Sequence, residues 1–367
     1  MIVRFVDPQR NYQMHKKDLD AAYFEVMEKG DLIMRGQLDN FEKNLAAFVG
    51  TKYAVGLNSG YDALQISLRA AGIGAGDEVI CPAHTFVATC SAIVNVGASP
   101  VLVDVGKDFN IDVKKIEEAI TDKTKAIIPV SLSGMPADMP VIMEIARKNG
   151  LVVVEDACQS LGASINGKMV GSFGFTGCWS FYPFKILGGY GDGGAITTDS
   201  EKVYNYAKLI RFNGEDRDTG EYHYHGFTCL LDNLQAAFLD VKLKKLPEWI
   251  VRRKKIAKMY FDEFNDLPDL LLPQAYERIG FDHVYQNYTV RSKQENKFSE
   301  YLKSNGVEVL TQFRKPYYKH DGLKLIDRGF PETEALSREV CSLPLNVEIN
   351  DEEIAYVIKT VRSFYGK

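Results

Sequence analysis

The chain has little with which to cross a membrane, hold a metal or grip nucleic acid. Its 367 residues include six cysteines and six histidines. The cysteines (81, 90, 158, 178, 229 and 341) contain no C-x-x-C pair, and most sit in apolar contexts. That pattern points to buried free thiols in a reducing compartment rather than to disulfides or a zinc ribbon. His223 and His225 flank Tyr224 without a cluster of acids or cysteines beside them, so no metal site is expected. No apolar run approaches the roughly 20 residues of a membrane span. Met1 to Asp7 lacks the charged and apolar regions of a secretory signal. The formal net charge is −5, with no basic block, which disfavours nucleic acid as a partner. There is no G-x-x-x-x-G-K-[ST] loop, internal repeat or low-complexity tract. These absences leave a cytoplasmic globular protein, and 46% hydrophobic with 25% charged residues is ordinary for one.

What the chain does have, from about residue 50 to 200, is alternation. Strand-like runs cover Tyr53 to Leu57, Glu78 to Cys81, Val101 to Asp104, Ala126 to Val130, Leu151 to Glu155, Cys178 to Phe181 and Gly194 to Thr198. Helix-like runs fall between them at Tyr61 to Ala71, Phe86 to Val96, Val113 to Ile120 and Met139 to Asn149. This predicts an α/β fold with a mostly parallel sheet and crossover helices. Residues 201–211 read as a helix, 213–228 as a long polar loop, and Asp232 to Leu246 and Trp249 to Phe264 as helices on either side of Pro247. Proline breaks at 268, 273 and 316 mark a mixed C-terminal part. The predicted domains are 1–245, the larger, and 246–367, a smaller α+β unit.

Lys185 stands out within this frame. It lies between an apolar aromatic run, Phe181-Tyr182-Pro183-Phe184, and a glycine-rich run, Gly188 to Gly194. Most lysines are surface charges. One that follows a buried strand is partly desolvated, which lowers its pKa and makes its amine a better nucleophile toward a carbonyl. Asp156 closes the β-branched run Leu151 to Glu155, at the end of a strand where open α/β sheets bind ligands. An acid there is ordinarily a helix cap. Paired with a Schiff-base lysine it has a second use. Pyridoxal phosphate needs a lysine for its aldehyde and a carboxylate to keep its ring nitrogen protonated.

Other segments carry weaker signals. Asn58-Ser59-Gly60-Tyr61 turns a strand into a helix, and helix starts bind anions; simple capping by Asn58 or Ser59 is the plainer reading of that turn alone. Phe86 can stack on a planar ring or simply fill core. Gln159 can bond a ring hydroxyl or cap a helix. Ser180 can donate to a phosphate or to backbone. Gly189-x-Gly191-x-x-Gly194 matches the dinucleotide fingerprint, but it runs into the strand-like Ala195 to Thr198 instead of a helix. Those glycines are expected to permit a tight turn and a close approach of backbone to the cofactor.

Taken together, Gly30 to Gly36, Asn58 to Leu64, Gly76 to Ile80, Pro100 to Asp104, Thr124 to Val130, Glu155 to Ala163, Ser180 to Ile196, Asp232 to Ala237 and Ser342 to Leu345 resemble the DegT/DnrJ/EryC1/StrS sugar aminotransferases. The resemblance implies an aspartate-aminotransferase-like fold (fold type I) and pyridoxal 5'-phosphate as cofactor, with pyridoxamine phosphate in the half-reaction. It implies Lys185 as the imine-forming residue and Asp156 as the partner of the pyridinium. It also implies Gln159 at the ring hydroxyl, Phe86 on the ring, and Ser59, Gly60 and Ser180 at the phosphate. Substrates would be L-glutamate, leaving as 2-oxoglutarate, and a nucleotide-linked keto-deoxysugar aminated at C3 or C4. A homodimer with shared active sites is implied, with the His223 to Thr228 loop as the candidate contribution in trans. The chain departs from the family pattern at Tyr61 (usually Thr), Thr228 (often Asn, a phosphate contact across subunits), Leu230 (often Arg), Ser133 (Tyr) and Asn346 (His). A related branch carries histidine in place of the lysine and dehydrates keto sugars; Lys185 separates this chain from it. Two alternatives remain: a nicotinamide-dependent sugar dehydrogenase, which predicts a glycine-rich turn after the first strand that is not evident, and a non-catalytic cofactor binder. Arg211, Arg217 and Arg314 are candidate cations for the nucleotide diphosphate.

Overall fold

The computed structural model describes residues 1–273 and 278–367. Helices α1 (Pro8–Lys29) and α2 (Gly36–Val49) precede a seven-stranded sheet. Its strands are β1 (Tyr53–Leu57), β2 (Glu78–Pro82), β3 (Ser99–Val103), β4 (Thr124–Ile127), β5 (Val152–Asp156), β6 (Thr176–Ser180) and β7 (Gly194–Thr198). The order is β1-β7-β6-β5-β4-β2-β3. Neighbours run parallel except β7, which is antiparallel to both β1 and β6.

Both faces of the sheet are covered, which is why its strands read as continuous apolar runs rather than alternating ones. Along β5, Val153 packs with Ile142 and Ala146 of α5 (Met139–Asn149). Its neighbour Val154 packs on the opposite face with Leu64 and Leu68 of α3 (Gly60–Ala70). Each such buried side chain contributes about 1.5–3 kcal/mol. The helix α4 (Val87–Asn95) follows β2, and α6 (Glu201–Ile210) follows β7. In register, Asp156 sits beside Cys178 and Ser180 beside Gly194. The carboxyl ends of β5 and β6 therefore open at one edge.

A second core forms around a three-stranded antiparallel sheet, β8 (Leu270–Leu271), β9 (Tyr288–Ser292) and β10 (Val340–Leu343), in that order. The helices α7 (Asn233–Leu243) and α8 (Leu246–Phe264) lead into it, and α9 (Glu295–Ser304), α10 (Pro331–Glu339) and α11 (Asp351–Phe364) belong to this part of the chain. The helix α8 serves both cores, with Leu246 and Trp249 in the first and Ile256, Tyr260 and Phe264 in the second. Val3 also belongs to the second core and forms a parallel bridge with Val307. The extreme N-terminus thus packs with the C-terminal part.

Three local readings are corrected. Val113 to Ile120 is not one helix but two short 3₁₀ turns, Val113–Lys115 and Glu117–Ala119. With only Ile116 fully buried there, the segment lacks the apolar stripe that would support a longer helix. Asp232 to Leu246 ends earlier, at Leu243. A proline ring clashes with the carbonyl four residues before it, and four before Pro247 is Leu243; Pro247 then falls in the first turn of α8, where its missing N–H costs nothing. The polar loop 213–228 holds a small hairpin pairing Glu215 with Tyr222 and Asp216 with Glu221.

Candidate active site

A cleft of about 770 Å³ opens where β5 and β6 end. Asp156, Lys185, Ser59, Gly60, Tyr61, Phe86, Gln159 and Ser180 all line it. Eight residues singled out across more than a hundred positions of sequence therefore share one cavity.

Asp156 is buried at the tip of β5. Its Oδ2 accepts a hydrogen bond from Thr89 Oγ1 at 2.8 Å, and its Oδ1 one from the Cys158 backbone N–H at 3.3 Å. Thr89 lies on α4 and its hydroxyl also meets that of Thr85 at 3.0 Å. A buried carboxylate held from two sides is oriented before any ligand arrives.

Lys185 follows β6 in a turn closed by its own N–H donating to Tyr182 O at 2.9 Å. Among the described residues its Nζ has no hydrogen-bond or ion-pair partner. Burial pushes the amine below the ordinary lysine value, and the nearby Cys158 and Asp156 only partly oppose that. The Cys158 thiol is itself pushed well up by burial and stays protonated. The turn is fixed from outside by Gln286. Its Oε1 accepts from Ile186 N–H at 2.6 Å and its Nε2 donates to Phe184 O at 2.9 Å. The backbone on both sides of Lys185 is thus held by a single side chain. Gln286 also lines the cleft.

The start of α3 forms an anion cradle. Ser59 caps the helix, accepting from Asp62 N–H at 3.1 Å and donating to Asp62 Oδ2 at 2.5 Å. Capping and cleft lining therefore coexist in Ser59. The N–H groups of Gly60 and Tyr61 stand at the helix start, where they have no intrahelical acceptor. Space there is tight. A Cβ on Gly60 would come 2.6 Å from Cys158 Sγ and 2.9 Å from Ser180 Cβ. A Cβ on Gly194 would come 2.2 Å from the Ser59 carbonyl carbon. The glycine run after Lys185 thus serves mainly close packing of protein on protein, although Gly193 does face the cleft.

Gln159 is buried and its Oε1 is taken by Ser133 N–H at 2.9 Å, so the amide NH₂ is the end left for a ligand. Phe86 is the N-cap residue of α4 and 59% exposed, an apolar ring presented to the cleft rather than to the core. The Tyr61 phenol accepts a hydrogen bond from Asn95 Nδ2 on α4. Ser180 Oγ accepts from Tyr182 N–H at 3.4 Å.

Thr228 is different. It is exposed, donates to Asn213 Oδ1 at 3.0 Å, and lies off the cleft of its own chain. Arg211 is no ligand for a diphosphate. It is 2% exposed, away from the cleft, and its Nη1 is bound to Glu42 and to Gly56 O. Arg314 pairs with Glu295 at 3.1 Å away from the cleft, and Arg217 lies over the Phe212 ring. Gln286, Asn287, Leu310, Gln312 and Phe313 escaped the sequence reading although all line the cleft. No local signal marked them, because they come from the C-terminal part of the chain and meet the site only through folding. Thr89 was visible as part of a helix start, without a role.

The model of the DegT/DnrJ/EryC1/StrS aminotransferase family matches residues 13–362. The chain is 37% identical over 364 residues to the UDP-2-acetamido-2-deoxy-3-oxo-D-glucuronate aminotransferase of Pseudomonas aeruginosa, covering 97% of this chain and 98% of that protein. Its structure superposes on Streptomyces venezuelae DesV in complex with a ketimine intermediate with a TM-score of 0.96, at 35% identity over 100% of this chain and 99% of that one. It also matches NtdA of Bacillus subtilis with bound cofactor PMP, with a TM-score of 0.90 at 30% identity, over 100% of this chain and 86% of that one.

Proposed function

The chain belongs to the DegT/DnrJ/EryC1/StrS aminotransferase family, and from that premise we propose that it moves an amino group from L-glutamate to a nucleotide-linked keto-deoxysugar, using pyridoxal phosphate. The observation that carries this reading is the pairing of a partner-free, partly desolvated Lys185 amine with the oriented Asp156 carboxylate on one cleft.

The residues fit the cofactor. The cradle at Ser59 and Gly60, with Ser180 beside it, offers backbone N–H and hydroxyl groups on the cleft wall to a phosphate. Asp156 offers a carboxylate to a protonated ring nitrogen, Gln159 an amide to the ring hydroxyl, and Phe86 an apolar face. When bound, pyridoxal phosphate supplies an aldehyde for amines and a ring that accepts electrons.

The chain's own groups then act as follows. The Lys185 amine would hold the cofactor through its aldehyde until a donor amine displaced it. Once freed, Lys185 Nζ takes the proton from the donor α-carbon, a base made competent by its lowered pKa. Asp156 would hold the ring nitrogen in its charged form throughout. The same two residues serve the sugar half-reaction in reverse. His223, Tyr224, His225 and Thr228 are exposed and Thr228 lies off its own cleft, which supports a homodimer in which this loop serves a second copy's site. Among the described residues no helix is long and apolar enough to cross a membrane, in keeping with a cytoplasmic enzyme.

The test is direct. The purified protein is incubated with glutamate and a panel of nucleotide keto-sugars, and 2-oxoglutarate and the aminated sugar mass are measured. Both products should form, and Lys185→Ala should form neither. A protein that binds the cofactor yet releases no 2-oxoglutarate with any sugar is a binder and not an aminotransferase.

A further inference from the structure

Between β4 and α5 the chain makes a buried turn, Ser131 to Gly134, that stays off the cleft wall. Its backbone nevertheless reaches every segment assigned to the cofactor ring. Ser131 N–H donates to Asp156 O at 3.1 Å, next to the parallel bridge between Val130 and Asp156. Ser133 N–H donates to Gln159 Oε1 at 2.9 Å. On its other side the turn accepts two hydrogen bonds from the C-terminal part of the chain. Asn287 N–H donates to Ser133 O at 3.3 Å, and Val284 N–H donates to Gly134 O at 3.1 Å. Gln286, whose amide pins the backbone on both sides of Lys185, lies between those two donors.

The two backbones meet in strained conformations. Ser133 has a φ of 54°, and Tyr285, on the opposite side of the contact, has a φ of 52°. Residues other than glycine keep a left-handed backbone only where their surroundings over-determine it, and such residues cluster at functional sites. Gly134, with a φ of 93°, lets the two segments approach. A Cβ there would come 2.7 Å from Gln286 N and 2.9 Å from Tyr285 N. Those are backbone atoms, which cannot swing aside as a flexible side chain can. The Ser133 hydroxyl meets that of Thr289 at 3.3 Å, and Thr289 meets Ser342 at 2.9 Å, so the turn is tied to β9 and β10 as well.

We propose that this turn is the strut that sets Asp156, Gln159 and the Lys185 turn relative to one another, with Gly134 as its positioning residue. On the aminotransferase reading, acid, amide and amine come from separate segments and must grip one ring. The buried turn spaces them. Gly134 acts through the backbone of Val284 to Gln286. Any side chain at residue 134 drives that segment away, which releases the Lys185 turn and lets water reach the amine.

Gly134→Ala tests this. Apoprotein is mixed with pyridoxal phosphate, and capture is followed by absorbance across a pH series. Capture should slow at least about 10-fold. Its pH midpoint should move up toward that of ordinary lysine, because burial is what holds the amine down. A loss of packing elsewhere lowers stability without moving that midpoint. In a Gln286→Leu background the alanine should slow capture by less than about 2-fold more, because both changes release the same turn. Full additivity, or an unmoved midpoint, overturns the proposal. Should Gly134→Ala fail to fold, amide hydrogen exchange in the wild-type apoprotein decides. The N–H groups of Ser133, Val284, Asn287 and Ile186 should be protected before the cofactor binds. Exchange of these amides at the rate of exposed ones overturns the strut. Borohydride fixation of the cofactor onto Lys185 in the wild type is scored separately, so a failure of the imine chemistry is distinguished from a failure of this turn.

Discussion

Gln286 holds Lys185 by its neighbours: its amide oxygen accepts from Ile186 N–H at 2.6 Å and its amide nitrogen donates to Phe184 O at 2.9 Å. The aim of the amine therefore depends on a side chain from the C-terminal part of the chain. Gln286→Leu leaves both backbone groups unpaired and lets the turn relax. Cofactor capture, followed by absorbance, should slow at least about 10-fold, equivalent to about 1.4 kcal/mol. Gln286→Glu keeps the bond to Ile186 and should fall between the two. Equal capture rates in all three proteins would show that the turn needs no such support.

Thr89 plays the matching part for Asp156, through its 2.8 Å hydrogen bond. Thr89→Val preserves shape and removes the donor. A hydrogen bond to a charged group is worth about 1.5–3 kcal/mol, so turnover should drop by a factor on the order of 10 to 100. The KM for the sugar should move far less, because Thr89 orients the carboxylate and is not expected to bind the nucleotide.

The lowered pKa of Lys185 has a pH signature. The amine attacks only when unprotonated, so capture should rise with pH and level off below the ordinary lysine value of about 10.4. As pH falls through the depressed pKa, the ammonium forms and capture stops. Stopped-flow mixing of apoprotein with pyridoxal phosphate across a pH series measures it, with Lys185→Ala as the blank. A midpoint at or above the free-lysine value contradicts a desolvated amine.

Arg211 should prove to be a folding residue. It is 2% exposed and bound to Glu42 and Gly56 O. Arg211→Met leaves the Glu42 carboxylate buried with no counter-charge and only the Gly56 N–H as partner, at a cost of about 3–5 kcal/mol. Urea denaturation should show that loss. The sugar KM of the folded fraction should stay put, which a diphosphate ligand's removal would not allow.

Acid stability follows from His84. It is fully buried, and burial pushes its pKa down from 6.5 to about 4. The unfolded chain then binds a proton between these values that the folded chain refuses. Its contribution is therefore fully present above pH 6.5 and is withdrawn as pH falls toward 4, by about 3 kcal/mol. His84→Asn should flatten the stability profile across that window, read by denaturant midpoints at several pH values.

The sequence by itself determined the strands, three of the four crossover helices and the choice of Asp156 and Lys185 as candidates. Leu151 to Glu155 could only be a buried strand, because both sheet faces are covered. An acid at its end and a lysine wedged before glycines already made imine chemistry an expectation, and the structure brings both onto one cleft. Arg211 shows the limit, since a cation bound for the core reads the same as one bound for a ligand until Glu42 is seen beside it. Pro247 shows another, because the break it imposes falls four residues upstream. Tertiary structure alone decided the rest. Gln286 meets the Lys185 turn across a separation of 100 residues, and Thr89 meets Asp156 across 67. Contacts of that range leave no local periodicity. They exist because the sheet order brings β5, β6 and the start of α3 to one edge and folds the second core over it.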